Sequence, residues 1–164
     1  MKPKIHLTNL FSNNIHKNDQ ILGEWCNPSS KSKSIPYHWD DNEKMHSDFE
    51  LLDKIYEHLL EEISYILNDI HQINFSKQSW RILIGTWLYA LIHTFFDRYK
   101  IINYAVEARN LFTNDFDICW LDFSEEDFKF ISSYSSFDAM RKSDVINQFV
   151  FQELIIIFKK QNFK

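Results

Sequence analysis

Five consecutive residues, Tyr37-His38-Trp39-Asp40-Asp41, set an imidazole, an indole and two carboxylates side by side. They fall where a breaker-rich stretch gives way to helical periodicity. Backbone N–H groups at such a helix start could receive an anion, in competition with Asp40 and Asp41 themselves. The plainer account is capping by the aspartates and packing by His38 and Trp39. A second acidic group, Asp115-Phe116-Asp117, has the D-x-D spacing by which two carboxylates hold a divalent ion, and a turn or helix-end role serves it equally. Glu43-x-x-His46 matches half of a helical di-iron motif, but no second such pair exists and a solvated helix start explains it. The weak metal candidates are therefore Asp115 and Asp117, and no cofactor is expected.

Arg81 and Arg98 border the most apolar segment of the chain, and a guanidinium near a core needs a carboxylate or phosphate partner. An ion pair with the preceding helix and a contact to a ligand phosphate are both open for them. His71 and His93 have no complementary group at helical spacing and are read as loop or core histidines. The chain contains no G-x-S-x-G, P-loop, G-x-G-x-x-G or H-E-x-x-H.

The elements that must position these residues are mostly helices. Met45, Phe49, Leu52, Tyr56, Leu59, Ile63, Ile66 and Ile70 recur at steps of three and four, predicting a long amphipathic helix from Asp41 to Ile70, capped by Asp40 or Asp41. Asn68 to Asn74 breaks it. Ser76 caps a second helix reaching Asn103 or beyond, apolar around most of its circumference and so expected at the centre of a bundle. Past a connector at Asn114 to Asp117, a short helix is expected over residues 125–134 with Ser124 as cap, and a last helix from about Asp138 to Lys160. Before Pro36, Ile5-His6-Leu7-Thr8 and Gln20-Ile21-Leu22-Gly23 read as short strands around an Asn-rich segment, and 27–34 as a polar loop. The fold class is thus mainly α, bundle-like, with one or two short N-terminal strands: a strand-and-loop segment over 1–36 and a helical region over 37–164 in one domain.

Composition agrees. The 164 residues are 45% hydrophobic with a net charge of -5, and hold only 2 Gly and 3 Pro, which disfavours glycine-looped nucleotide folds and loop-rich sandwiches. An acidic balance without a basic face argues against nucleic acid. Trp80 to Phe96 is too short and too polar for a membrane span, no signal peptide is expected from the mixed residues of Met1 to Phe11, and Cys26 and Cys119 fit the expectation of a reduced cytoplasmic protein.

Five strings together resemble the transferases encoded in bacterial O-antigen and surface-polysaccharide clusters. They are ILGEWC at Ile21 to Cys26, PYHWDD at Pro36 to Asp41, LNDIHQINFS at Leu67 to Ser76, WRILIGTWL at Trp80 to Leu88, and FDRY at Phe96 to Tyr99. The resemblance covers Ile21 to Tyr99 well and the rest weakly. Thr86 departs from the family's usual proline, and Gln78-Ser79 from its basic-aromatic pair. The resemblance implies a glycosyltransferase-like enzyme that is α/β in its longer relatives, with a C-terminal nucleotide-sugar domain expected to be missing here. Under it, Glu24, His38, Trp39, Asp40, Asp41, Arg81 and Arg98 line the acceptor side of a cleft. A carboxylate or His38 is the candidate base, and Arg81 or Arg98 the phosphate contact. A nucleotide sugar and a glycan acceptor are then partners only where a catalytic domain is supplied, and the chain alone is expected to be inactive. The competing reading is a non-catalytic helical module that self-associates or binds a partner chain.

Overall fold

The computed structural model describes residues 2–27, 36–109, 116–124 and 134–162. Asp115, all but the first residue of the loop expected over 27–34 and all but the end of the helix expected over 125–134 lie outside them. The chain forms two units, Met1–His38 with Arg98–Lys164, and Trp39–Asp97. The outcome is mainly helical with short strands, as composition and periodicity predict.

Trp39–Asp97 is built on two long helices, α1 (Asn42–His71) and α2 (Lys77–Arg109), the latter continuing into the other unit. Asp41 is the N-cap of α1: its carboxylate accepts from the N–H groups of Glu43 at 3.0 Å and Lys44 at 3.2 Å. The helix ends at Gln72, a left-handed residue (φ 53°) whose N–H returns to the carbonyls of Asn68 and Asp69. Ser76 caps α2 through the N–H of Ser79.

One amide organises the turn between them. Asn68 Oδ1 accepts from the Phe75 N–H (3.0 Å) and from Trp80 Nε1 (2.9 Å), while its Nδ2 donates to the Phe75 carbonyl (2.9 Å). The end of α1, the turn and the first turn of α2 are thereby tied to one side chain.

Leu52, Leu60, Trp80, Leu88 and Ile92 form the core of this unit, flanked by Tyr56, Leu59, Ile63, Leu67, Ile84 and Trp87. The apolar stripe departs from its expected course at the end of α1. Leu60 and Leu67 take the inward positions, and Ile66 and Ile70 are exposed. Nor is α2 covered all round, for Ile82 is 77% and Leu83 59% exposed. With α1 as its long neighbour in this unit, one face of α2 packs and another does not.

The other unit holds a parallel sheet of order β2-β1-β3: β1 (Lys4–His6), β2 (Gln20–Ile21) and β3 (Asp117–Ile118). Ile5 pairs with Gln20 on one side and with Ile118 on the other. β3 is a strand where the sequence reads as a connector. Two residues carry no periodicity, and only the ladder with β1 makes them extended.

Ile5, His6, Leu7 and Thr8 are all buried, so the central strand is covered on both faces, as parallel sheets require. Its apolar cover includes Ile101, Ile102 and Ala105 of α2, and Phe151, Ile155 and Phe158 of α4 (Asp144–Asn162). The last helical region is two helices, α3 (Tyr134–Arg141) and α4, separated at Lys142 and Ser143.

Asn68→Ala is expected to lower stability by about 1–3 kcal/mol, since it strands the indole N–H of buried Trp80 and removes two hydrogen bonds to the exposed Phe75 backbone. Gln72→Gly is expected to leave stability unchanged or raise it by up to about 1 kcal/mol by relieving the left-handed residue. Urea denaturation of the two variants beside the parent checks both signs.

Candidate functional site

β2 runs directly into a short 3-10 turn, Glu24–Cys26, at the carboxyl end of the parallel sheet. Nearly every residue around that turn has structural work. Ile21 and Leu22 are core residues, and the Leu22 N–H bonds the His6 carbonyl at 2.9 Å. The indole of Trp25 stacks on Phe151 and donates to the Leu7 carbonyl at 3.0 Å. It lies so close over Gly23 that a Cβ there would collide with it. Cys26 is buried, its thiol donating to the His6 carbonyl at 3.2 Å, and burial pushes that thiol up to about 11. Glu24 is the exception: its carboxylate is exposed, with no hydrogen bond or ion pair among the described residues.

The Tyr37 to Asp41 string divides its labour. Asp41 is occupied by capping, and the two N–H groups of the helix start that it takes up are not available to another anion. Capping, led by the Lys44 N–H, lowers its pKa. Trp39 Nε1 donates to Asp48 Oδ2 at 3.1 Å, and its ring stacks on Phe49 with centroids 5.4 Å apart. His38 is half-buried against Tyr37, and Asp40 is exposed.

Arg81 forms a bidentate pair with Glu57, at 2.6 and 2.8 Å, and lies over the Tyr56 ring at 5.6 Å. Lys77 joins the same carboxylate at 3.1 Å. The Arg81 and Lys77 hydrogen bonds hold the Glu57 carboxyl down to about 2. Gly85 makes room for this cluster: a Cβ there would stand 2.7 Å from the Tyr56 hydroxyl. Glu57 is sixteen residues along α1 from Asp41, about 24 Å of helix, so Arg81 and the α1 cap are distinct places. Arg98 Nε donates to Asn147 Oδ1 at 3.0 Å. Asp117 lies in β3 with an exposed side chain, and Asp115 lies outside the described residues. Among the described residues no three His, Cys, Asp or Glu are arranged to hold a metal ion. No described helix is long and apolar enough to cross a membrane.

Two polar clusters in the sheet escape sequence reading. Gln148 and Gln152 of α4 reach the carboxyl ends of the strands. Gln148 Oε1 accepts from Thr8 Oγ1 at 2.8 Å and its Nε2 donates to the Cys119 carbonyl at 2.7 Å, while Gln152 pairs with both the N–H and the carbonyl of Leu121. Elsewhere Asp19 Oδ2 accepts from His6 Nε2 at 3.1 Å, and His6 Nδ1 faces Cys119 Sγ at 3.7 Å. Asp19 also accepts from the N–H groups of Lys4 and His16. Burial works to raise the Asp19 pKa, but the bonds from His16, Lys4 and His6 outweigh it and hold it below 3.8. A buried histidine in a central strand was a signal for this cluster, though nothing local points from it to residues 13 and 113 positions away.

His93 sits among rings, 4.1 Å from Tyr89 and 5.3 Å from Phe49. Its Nε2 is buried and has no hydrogen-bond partner among the described residues. Burial lowers its pKa below 6.5, against the pull of Asp53.

A family model described as LIC12162 family transferase matches residues 6–164. Searches of curated proteins and of solved structures give no match.

The depressed His93 pKa has a definite sign. Protons bind the unfolded chain more readily than the native ring, so its contribution to stability is intact above pH 6.5 and is lost as pH falls below it. Urea midpoints measured across pH 7.5 to 5 should fall in the parent and fall less in His93→Phe, which keeps the ring contacts and removes the titration.

Proposed function

Since the chain belongs to the LIC12162 family of transferases, we propose that it works in building bacterial surface polysaccharide, forming the acceptor side of a sugar transfer from a nucleotide sugar to a glycan hydroxyl. The observation that carries this reading is the exposed Glu24 carboxylate at the carboxyl end of the β2-β1-β3 sheet. Ligands of open parallel sheets gather beyond the carboxyl ends of the strands. Glu24 in this role is the general base that takes the proton of the acceptor hydroxyl as the sugar carbon is attacked.

Among the other candidates, His38 and Arg98 belong to the same unit as Glu24. Arg98, oriented through Asn147, is then the residue to set against donor phosphate. Asp41 and Arg81 are committed to the α1 cap and to Glu57, and serve the scaffold in this reading. Nucleotide-sugar binding is assigned to a separate α/β domain, as in the longer proteins that the chain resembles.

Deletion of the gene in its source organism is expected to shorten or abolish the surface-polysaccharide ladder on a gel, and the parent gene to restore it. Glu24→Gln, made at equal protein level, should restore less than about a tenth of the parent product. An unchanged ladder after deletion overturns the reading, and full restoration by Glu24→Gln overturns the role of that carboxylate.

The uncovered face of α2 favours a second reading, a non-catalytic helical module that self-associates. Light scattering on the purified chain should then give a dimer that Ile82→Glu converts to monomer. A monodisperse parent monomer counts against it.

A further inference from the structure

Cys119, His6 and Asp19 are aligned as nucleophile, base and orienting carboxylate. Asp19 accepts from the Lys4 and His16 backbone N–H groups, which keeps it an ionised acceptor, so the His6 ring must turn an N–H toward it from Nε2. That leaves the lone pair of Nδ1 directed at the Cys119 thiol, 3.7 Å away. The ring and the carboxylate are almost wholly enclosed, at 1% and 4% side-chain exposure, so neither can reorient freely. The thiol is half-buried, whereas Cys26, the other thiol packed on the same strand, is buried completely.

We propose that Cys119 is a site of reversible thiol modification by low-molecular-weight disulfides, with His6 as its base and Asp19 as the residue that positions His6. As the sulfur attacks one sulfur of the incoming disulfide, its proton passes to His6 Nδ1. A Cys119–S–S–R bond forms, the original disulfide bond breaks, and the departing half leaves as a thiolate that recovers the proton from His6. The disulfide supplies the oxidising equivalents, and the products are a mixed disulfide and one free thiol.

Burial pushes the Cys119 thiol up, with Lys4 acting to lower it and Asp19 to raise it. A thiol with only those influences reacts more slowly than a free one at neutral pH, and assistance by His6 reverses the order. The proposal is independent of the sugar-transfer reading.

The purified chain is incubated with oxidised glutathione at pH 7 and the adduct located by peptide mass spectrometry, with N-acetylcysteine as the free-thiol reference. The mixed disulfide is expected at Cys119, forming about tenfold or more faster than on the reference. In His6→Gln, shown by circular dichroism to be folded, the rate should drop below the reference and depend more steeply on pH than the parent rate does. Asp19→Asn should show an intermediate rate with the same altered profile. A parent rate below the reference, an adduct at Cys26 instead, or a folded His6→Gln that reacts like the parent overturns the proposal. The first comparison needs no variant, so it holds even if His6→Gln fails to fold.

Discussion

The carboxylate of Asp19 is the contact on which the sheet unit depends. It accepts from the Lys4 N–H at 2.8 Å, the His16 N–H at 2.9 Å and the His6 ring at 3.1 Å. The first of these extends the β1–β2 pairing by one residue, the second closes the turn that leads into β2, and the third gives a histidine buried in the central strand its partner. An unpaired imidazole at that depth would cost about 1–3 kcal/mol. One short side chain therefore sets the register of β2 and permits a polar residue in β1. The turn that follows β2, with the exposed Glu24, takes its place from that register, since a slip of one residue would turn Gly23, Trp25 and Cys26 to the wrong faces.

Asn68 performs the corresponding service in the helical unit, and several residues of the five strings are joints of this kind. Gly23 lies beneath Trp25, Asp41 caps α1, Asn68 ties the turn to Trp80, and Arg81 clasps Glu57 beside Gly85. In FDRY, Asp97 is buried, Arg98 meets Asn147 and Tyr99 stacks on Phe158. A string can be distinctive because packing demands it. Glu24 and Asp40 are exposed carboxylates within these strings, and packing does not explain their identity.

What could be read from the sequence follows the range of the forces involved. The bounds of α1 and α2, the Asp41 and Ser76 caps and the break after Asn68 rest on neighbours within four residues, and they stand close to where periodicity puts them. The Arg81 partner was one of two open choices, and the carboxylate on the preceding helix is the one present. β3 was not legible, because two residues become a strand only by pairing with β1. The separation of α3 from α4 was missed since Met140, Val145 and Phe149 keep a helical beat across Lys142 and Ser143. Likewise Asp19 directly follows the Asn-rich segment Ser12 to Asn18, and its importance is visible only in three dimensions.

The crossover from β2 to β3 has a kinetic consequence. His6 and Cys119 are separated by 113 positions, and the helical unit Trp39–Asp97 is threaded wholly between the two strands. Closing so long a loop costs configurational entropy that grows as about (3/2)RT ln n, which only the completed sheet repays. The hairpin of α1 and α2 makes its contacts between near neighbours in the chain, needs no such closure, and leaves the ribosome ahead of β3. Assembly should thus run from the middle outward: the helices first, the sheet last, with β1 and its enclosed histidine waiting on the final third of the chain.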